Sequence, residues 1–92
     1  MAHTSKNKTK VLNRVRRIRG QVEAVERALE GEHECTKVLQ LIAAVRGATN
    51  GLMAEVIEDH IREHVASPTI ASEAERMKGA DELIDVIRTY LK

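Results

Sequence analysis

Val11, Val15, Ile18, Val22, Val25 and Leu29 recur at intervals of 4, 3, 4, 3 and 4 residues. That spacing gathers all six on one side of an α-helix and fits no strand. Gly31 is a suitable stop for this first helix. A second stripe, Val38, Ile42, Val45, Leu52 and Val56, with Thr49 in the missing turn, predicts a helix from about Glu34 to Val65. Ser67-Pro68-Thr69 breaks it. A third helix starts at Ser72, a good N-cap, with Ala80, Leu83, Ile84, Ile87 and Leu91 as its apolar side. No segment alternates as a strand would. The expected fold is all-α: one domain over residues 1–92, two long antiparallel helices and a short C-terminal helix.

Phe and Trp are absent and there is one Tyr, so any core must be built from aliphatic side chains. One short helix cannot cover the apolar sides of two long ones, and a chain of 92 residues buries only a modest share of its surface. Self-association is therefore expected. No run of eighteen apolar residues is available to span a membrane, and MAHTSKNKTK lacks the apolar stretch of an export signal. With a single Cys, the expected setting is a reducing cytoplasm and a free thiol.

Net charge is unevenly placed. Residues 1–20 hold seven Lys or Arg and no acid, so the other 72 residues carry −6 in a chain of net +1. At 100° per residue, Lys6, Lys10, Arg14 and Arg17 fall within about 80° of one another, beside the apolar stripe and not on it. A merely solubilising helix usually mixes in acids one turn away; here none precedes Glu23. Arg forks suit phosphates and guanine edges, so double-stranded DNA is the expected partner, although no helix-turn-helix or zinc finger is legible. The plainer alternative is a solvated basic tail.

The remaining chemistry lies in Cys35 and the histidines. His60 and His64 stand one helical turn apart, a good spacing for one metal ion, although exposed His beside acids is commoner than a metal site. Cys35 projects within about 20° of both on a helical wheel, yet Cys35 and His60 are about 37 Å apart on a straight helix. Within one chain they cannot meet unless the helix breaks; they can meet if two copies pack antiparallel, crossing near residues 48–49, where Gly47-Ala48-Thr49-Asn50-Gly51 offers small side chains. Two-fold symmetry then gives two sites, each drawing on two chains. His3 and the amine of Ala2, exposed once Met1 is removed, are further donors; His33 reads as a turn residue. One sulfur with several nitrogens suits Ni(II), Co(II) or Zn(II) better than Cu(I).

RVRRIRGQVEAVERALE (14–30), ECTKVLQLIAAVRGATNGLMAEVIEDHIREH (34–64) and the terminal YLK (90–92) resemble the CsoR/RcnR family of bacterial transcriptional repressors, closely over about residues 3–65 and loosely beyond. The resemblance implies an antiparallel dimer assembling into a disc-like homotetramer. It also implies operator binding through basic residues of the first helix, and derepression when an effector binds. The nickel/cobalt-sensing branch uses the N-terminal amine, the following His, a Cys and two further His, which fall here on Ala2, His3, Cys35, His60 and His64. The copper-sensing branch has a second Cys where this chain has His64. The formaldehyde-sensing branch pairs its Cys with an N-terminal Pro, where this chain has Ala2, yet VLNRVRRIRGQVEAVERALEG resembles that branch more.

The site carries the chemistry, so the expected function is a Ni(II)/Co(II)-responsive repressor of a metal-efflux operon. Cys35, His60, His64, His3 and Ala2 would hold metal, and Arg14, Arg16, Arg17 and, less strongly, Lys10 would contact DNA. The rival readings are a formaldehyde sensor using Cys35 and the Ala2 amine, and a helical metal-binding protein that does not engage DNA. With no paired acid and base and no phosphate-binding glycine loop, an enzyme is not expected.

Overall fold

The computed structural model describes residues 5–91, and side chains from Asn7 onward. Three helices follow one another: α1 (Ser5–Glu30), α2 (Cys35–His64) and α3 (Glu73–Tyr90). No strand occurs among the described residues. α1 lies along α2, and α3 folds back on the C-terminal half of α2. The protomer is thus a helical hairpin with one added helix, as the apolar periodicity requires.

The helix ends follow local chemistry. α1 stops at Glu30 without a left-handed glycine: no described Gly has positive φ, and the Gly31 amide still donates to the Arg27 carbonyl at 3.0 Å. The expected glycine stop is therefore a simple unwinding into a turn. Glu34 enters α2 with extended backbone and no side-chain cap; its carbonyl takes the amides of Lys37 and Val38 at 3.0 and 3.2 Å. Thr49, inside the helix, returns its hydroxyl to the Val45 carbonyl at 2.8 Å, satisfying a polar side chain within the second stripe. α2 closes at Val65, and the Arg76 guanidinium reaches back to the Val65 carbonyl at 2.9 Å, tying α3 to the end of α2. Ser72 accepts the Glu75 amide at 3.2 Å, the N-cap expected from sequence.

The hairpin encloses almost nothing. Its extents are 58 × 29 × 14 Å and its radius of gyration is 17.4 Å, against about 12 Å for a compact chain of this length. Among the described apolar residues, only Ala28 is buried, at 5% exposure. Val15 and Val22 of α1, Ile42 of α2, Ile84 and Ile87 of α3, and Leu91 at its C-cap all remain exposed. These belong to the three stripes read from sequence, so the stripes form but lack cover. Apolar surface on this scale disfavours an isolated protomer. Sedimentation at micromolar concentration is expected to show an assembly, and the thermal midpoint to rise with protein concentration. A stable monomer with a concentration-independent midpoint would refute this account of the fold.

Candidate effector site and nucleic-acid interface

α2 is one unbroken helix of 30 residues, and its periodicity sorts its functional residues onto different sides. Cys35, His60 and His64 share one direction; Gly51 and Glu55 lie roughly 160–180° from it. That second direction faces α1, where Glu55 pairs with Arg14 and with Lys10, the latter at 3.7 Å. One turn further on, Asp59 is only 2% exposed. It accepts a hydrogen bond from the Asn7 amide at 3.1 Å and sits 3.8 Å from Arg62. α1 is therefore fastened to α2 through the same end that carries the basic stripe.

On the other side, the His60 and His64 rings stack obliquely with centroids 4.8 Å apart. His60 Nε2 lies 2.8 Å from the Gly79 carbonyl of α3. A carbonyl only accepts, so Nε2 is the donor, and in the neutral ring the lone pair then lies on Nδ1. This is how ligating histidines are usually fixed in one tautomer. Together the two rings fit a transition-metal ion as nitrogen donors. They do not make a complete site alone: among the described residues, no group of three or more His, Cys, Asp or Glu could hold a metal. Cys35 is an exposed free thiol at the opposite end of α2, about 37 Å from His60 by helical rise. The structure thus brings His60 and His64 together and keeps Cys35 apart within one protomer. Ala2 and His3 lie outside the described residues. His33 is exposed in the turn before α2.

On α1, the side chains of Lys10, Asn13, Arg14 and Arg17 line a shallow cleft of about 220 Å³. Arg16 is exposed and donates to the Asn13 side-chain oxygen at 3.2 Å. The basic stripe is therefore real, but two of its members are not free: Lys10 and Arg14 are already paired with Glu55.

Three residues escaped the sequence reading. Glu55 and Asp59 stand one turn apart on α2, a spacing that was visible: Glu55 is the counterpart of Lys10 and Arg14, and Asp59 takes the Asn7 amide. Gly79 is buried in the interior of α3; a helix-interior glycine costs about 1 kcal/mol relative to Ala, which was the available signal. A Cβ there would overlap the His64 carbonyl, with the carbonyl carbon at 2.8 Å. Gly51, assigned from sequence to a crossing between two copies of α2, instead faces α1, where a Cβ would stand 3.2 Å from Arg14 Nη1.

Gly79→Ala sets two effects against each other: a helix-propensity gain of about 1 kcal/mol and an overpacking cost of about 1–3 kcal/mol. The obstacle is backbone, which cannot swing aside, so the cost prevails. Denaturation should show a net loss, and the His60 ring resonances should shift as the Gly79 carbonyl withdraws. A stabilised variant with unchanged His60 resonances would contradict the close approach of α3.

A family model described as metal-sensitive transcriptional repressor matches residues 7–89. An uncharacterised protein in the bioA 5′ region of Serratia marcescens is 54% identical over the full length of both chains. The transcriptional repressor RcnR of Salmonella paratyphi B is 45% identical, also over the full length of both. Among solved structures, a glutamate-to-histidine variant of the formaldehyde-responsive regulator FrmR from Salmonella enterica serovar Typhimurium superposes with a TM-score of 0.88 at 48% identity, covering 96% of this chain and 98% of that one. The copper-sensing repressor CsoR with Cu(I) from Geobacillus thermodenitrificans gives a TM-score of 0.86 at 27% identity, covering 100% and 94%.

Proposed function

The chain belongs to the metal-sensitive transcriptional repressors, a family of DNA-binding regulators and not of enzymes, and from that premise we propose that it holds operator DNA until Ni(II) or Co(II) binds. The observation that carries this reading is the His60–His64 pair, with His60 fixed by Gly79 as an Nδ1 donor. A second cysteine at position 64 would favour Cu(I); a histidine there makes the set nitrogen-rich, and its similarity to RcnR points the same way. Zn(II) is compatible with a four-donor subset.

In this reading Cys35 of one protomer joins His60 and His64 of its antiparallel partner, and two such dimers form a homotetramer. The uncovered apolar sides and the length of α2 support that arrangement. The Ala2 amine and His3 complete the donor set. Bound metal supplies directional bonds between two chains and the start of α1. Everything else falls to the protein. Lys10, Arg14, Arg16 and Arg17 hold DNA phosphates in the apo state. Capture of the N-terminus pulls α1 away from the geometry that DNA requires, and a coupling of about 1–3 kcal/mol suffices for such linkage. A cytoplasmic location follows from the DNA partner; no helix among the described residues is long and apolar enough to cross a membrane.

Formaldehyde is the second reading, favoured by the exposed Cys35 thiol and the likeness to FrmR; there the aldehyde carbon would become a methylene joining the Cys35 sulfur to the Ala2 nitrogen, its oxygen leaving as water with one proton from each. The deciding experiment titrates Ni(II), Co(II), Zn(II), Cu(I) and formaldehyde against the complex with an operator selected from random duplexes by the wild-type chain. Cys35→Ala should abolish release by any effector. His64→Ala should blunt release by Ni(II) and Co(II) by about tenfold or more in effector concentration and leave an aldehyde response intact. Release by formaldehyde alone, unaffected by His64→Ala, would replace the metal reading with the second one.

The DNA interaction is tested separately. Replacing Arg14 and Arg17 together with Ala should lower the slope of log affinity against log salt by about one for each phosphate left without its arginine in each engaged subunit. Metal affinity should hardly change. An unaltered operator affinity would make the basic stripe a solubilising surface only.

A further inference from the structure

We infer that Glu55, on α2, is a positioning residue for DNA binding: it anchors Arg14 and Lys10 from behind so that both line the basic cleft of α1. The inference rests on the reading that this cleft receives phosphate. Glu55 is 11% exposed at its side chain, whereas Arg14 and Lys10 are 42% and 68% exposed. The carboxylate is thus the inner member of the cluster and the cations are its outer members. Arg14 meets it through Nε, and the Nη1 corner of the guanidinium lies over Gly51, one turn before Glu55, where no Cβ intervenes. The guanidinium is met by α2 at Nε; the same side chain lines the cleft with Lys10, Asn13 and Arg17. A guanidinium held by one edge keeps its other donors in a fixed plane for phosphate.

A charge-only view predicts the opposite effect. Glu55 is an anion near the DNA surface, and removing it adds one positive charge per protomer, which ought to tighten binding. The burial of Glu55 decides against that view. Its charge is neutralised locally by two cations already in place, so little of its field reaches the outer cleft. Without it, a long, rotamer-rich arginine is set loose and must be re-ordered each time it meets a phosphate.

The test is a double-mutant cycle on the assembled full-length chain, read by anisotropy of a fluorescent duplex carrying the selected operator. Glu55→Gln should weaken binding about fivefold and lower the salt slope by about one per engaged subunit. Glu55→Asp should restore part of the affinity. In an Arg14→Ala background, Glu55→Gln should cost less than about twofold. A purely structural role for Glu55 would leave its effect undiminished in that background and would overturn the inference, as would unchanged or tighter binding by Glu55→Gln. If the Glu55 variants do not assemble, Gly51→Ala decides: it crowds the guanidinium while favouring the helix. Weaker operator binding at undiminished thermal stability then supports the anchor, and unchanged binding overturns it. Arg14→Ala without effect on operator affinity would overturn both the inference and the DNA reading; an effect of Arg14→Ala with none of Glu55→Gln would overturn the inference alone.

Discussion

An unbroken α2 is the constraint on which the rest of this molecule depends. Thirty residues without an interruption hold Cys35 and His60 at opposite ends of one rod, and no side-chain flexibility closes a gap of about 37 Å. The same rod provides α1 with a full-length partner and α3 with a docking surface at its C-terminal half. Because the helix is unbroken and long, the hairpin is also thin. A slab 14 Å across cannot surround a core, so its aliphatic stripes stay open to other chains. Separation of Cys35 from His60 and exposure of the apolar sides thus have one geometric cause, and the proposed antiparallel pairing of two rods would answer both.

The periodicity of α2 then divides its roles. Glu55, Asp59 and Gly51 meet α1; the thiol and the imidazoles project from another side of the helix. Asp59 and His60 are neighbours in sequence, yet Asp59 is engaged with Asn7 of α1 and His60 with Gly79 of α3. A displacement of this one turn is therefore felt by both flanking helices at once. Such an element can be biased from two sides, which is what linkage between an effector site and a DNA-binding helix demands.

Much of this was legible in the sequence, and what was not has identifiable reasons. Apolar spacing located all three helices because period 3.6 is imposed by the backbone itself, and Ser72 marked the start of α3 because its side chain satisfies an amide that the helix leaves open. The separation of Cys35 from His60 followed from rise per residue alone. Tertiary partners were harder. A helical wheel shows that Lys10 and Arg14 share a face but not that Glu55 of another helix lies against them, since the register between α1 and α2 is set by packing. Gly51 shows the same limitation: small residues signal a close approach without saying to what, and here the approaching group is the Arg14 guanidinium. Gly79 is the converse case, a glycine whose cost in a helix was visible while the backbone it accommodates was not.

Family membership sets the architecture and the DNA partner, but effector choice is decided by a few atoms. Relatives and structural neighbours of this chain include proteins named for formaldehyde and for copper, on a backbone that superposes closely with each. Such folds differ little in their helices, so the proposed discrimination is a matter of donor atoms at the ends of α2 and at the N-terminus. Thiolates select Cu(I), imidazoles accept Ni(II), Co(II) and Zn(II), and a thiol beside a free amine accepts an aldehyde. In this chain position 64 is an imidazole next to another whose tautomer α3 has already fixed. That second condition does not come from residue identity alone. It depends on Gly79 bringing its carbonyl to His60, so in the proposed metal site the third helix supplies no donor and still orients one of the rings.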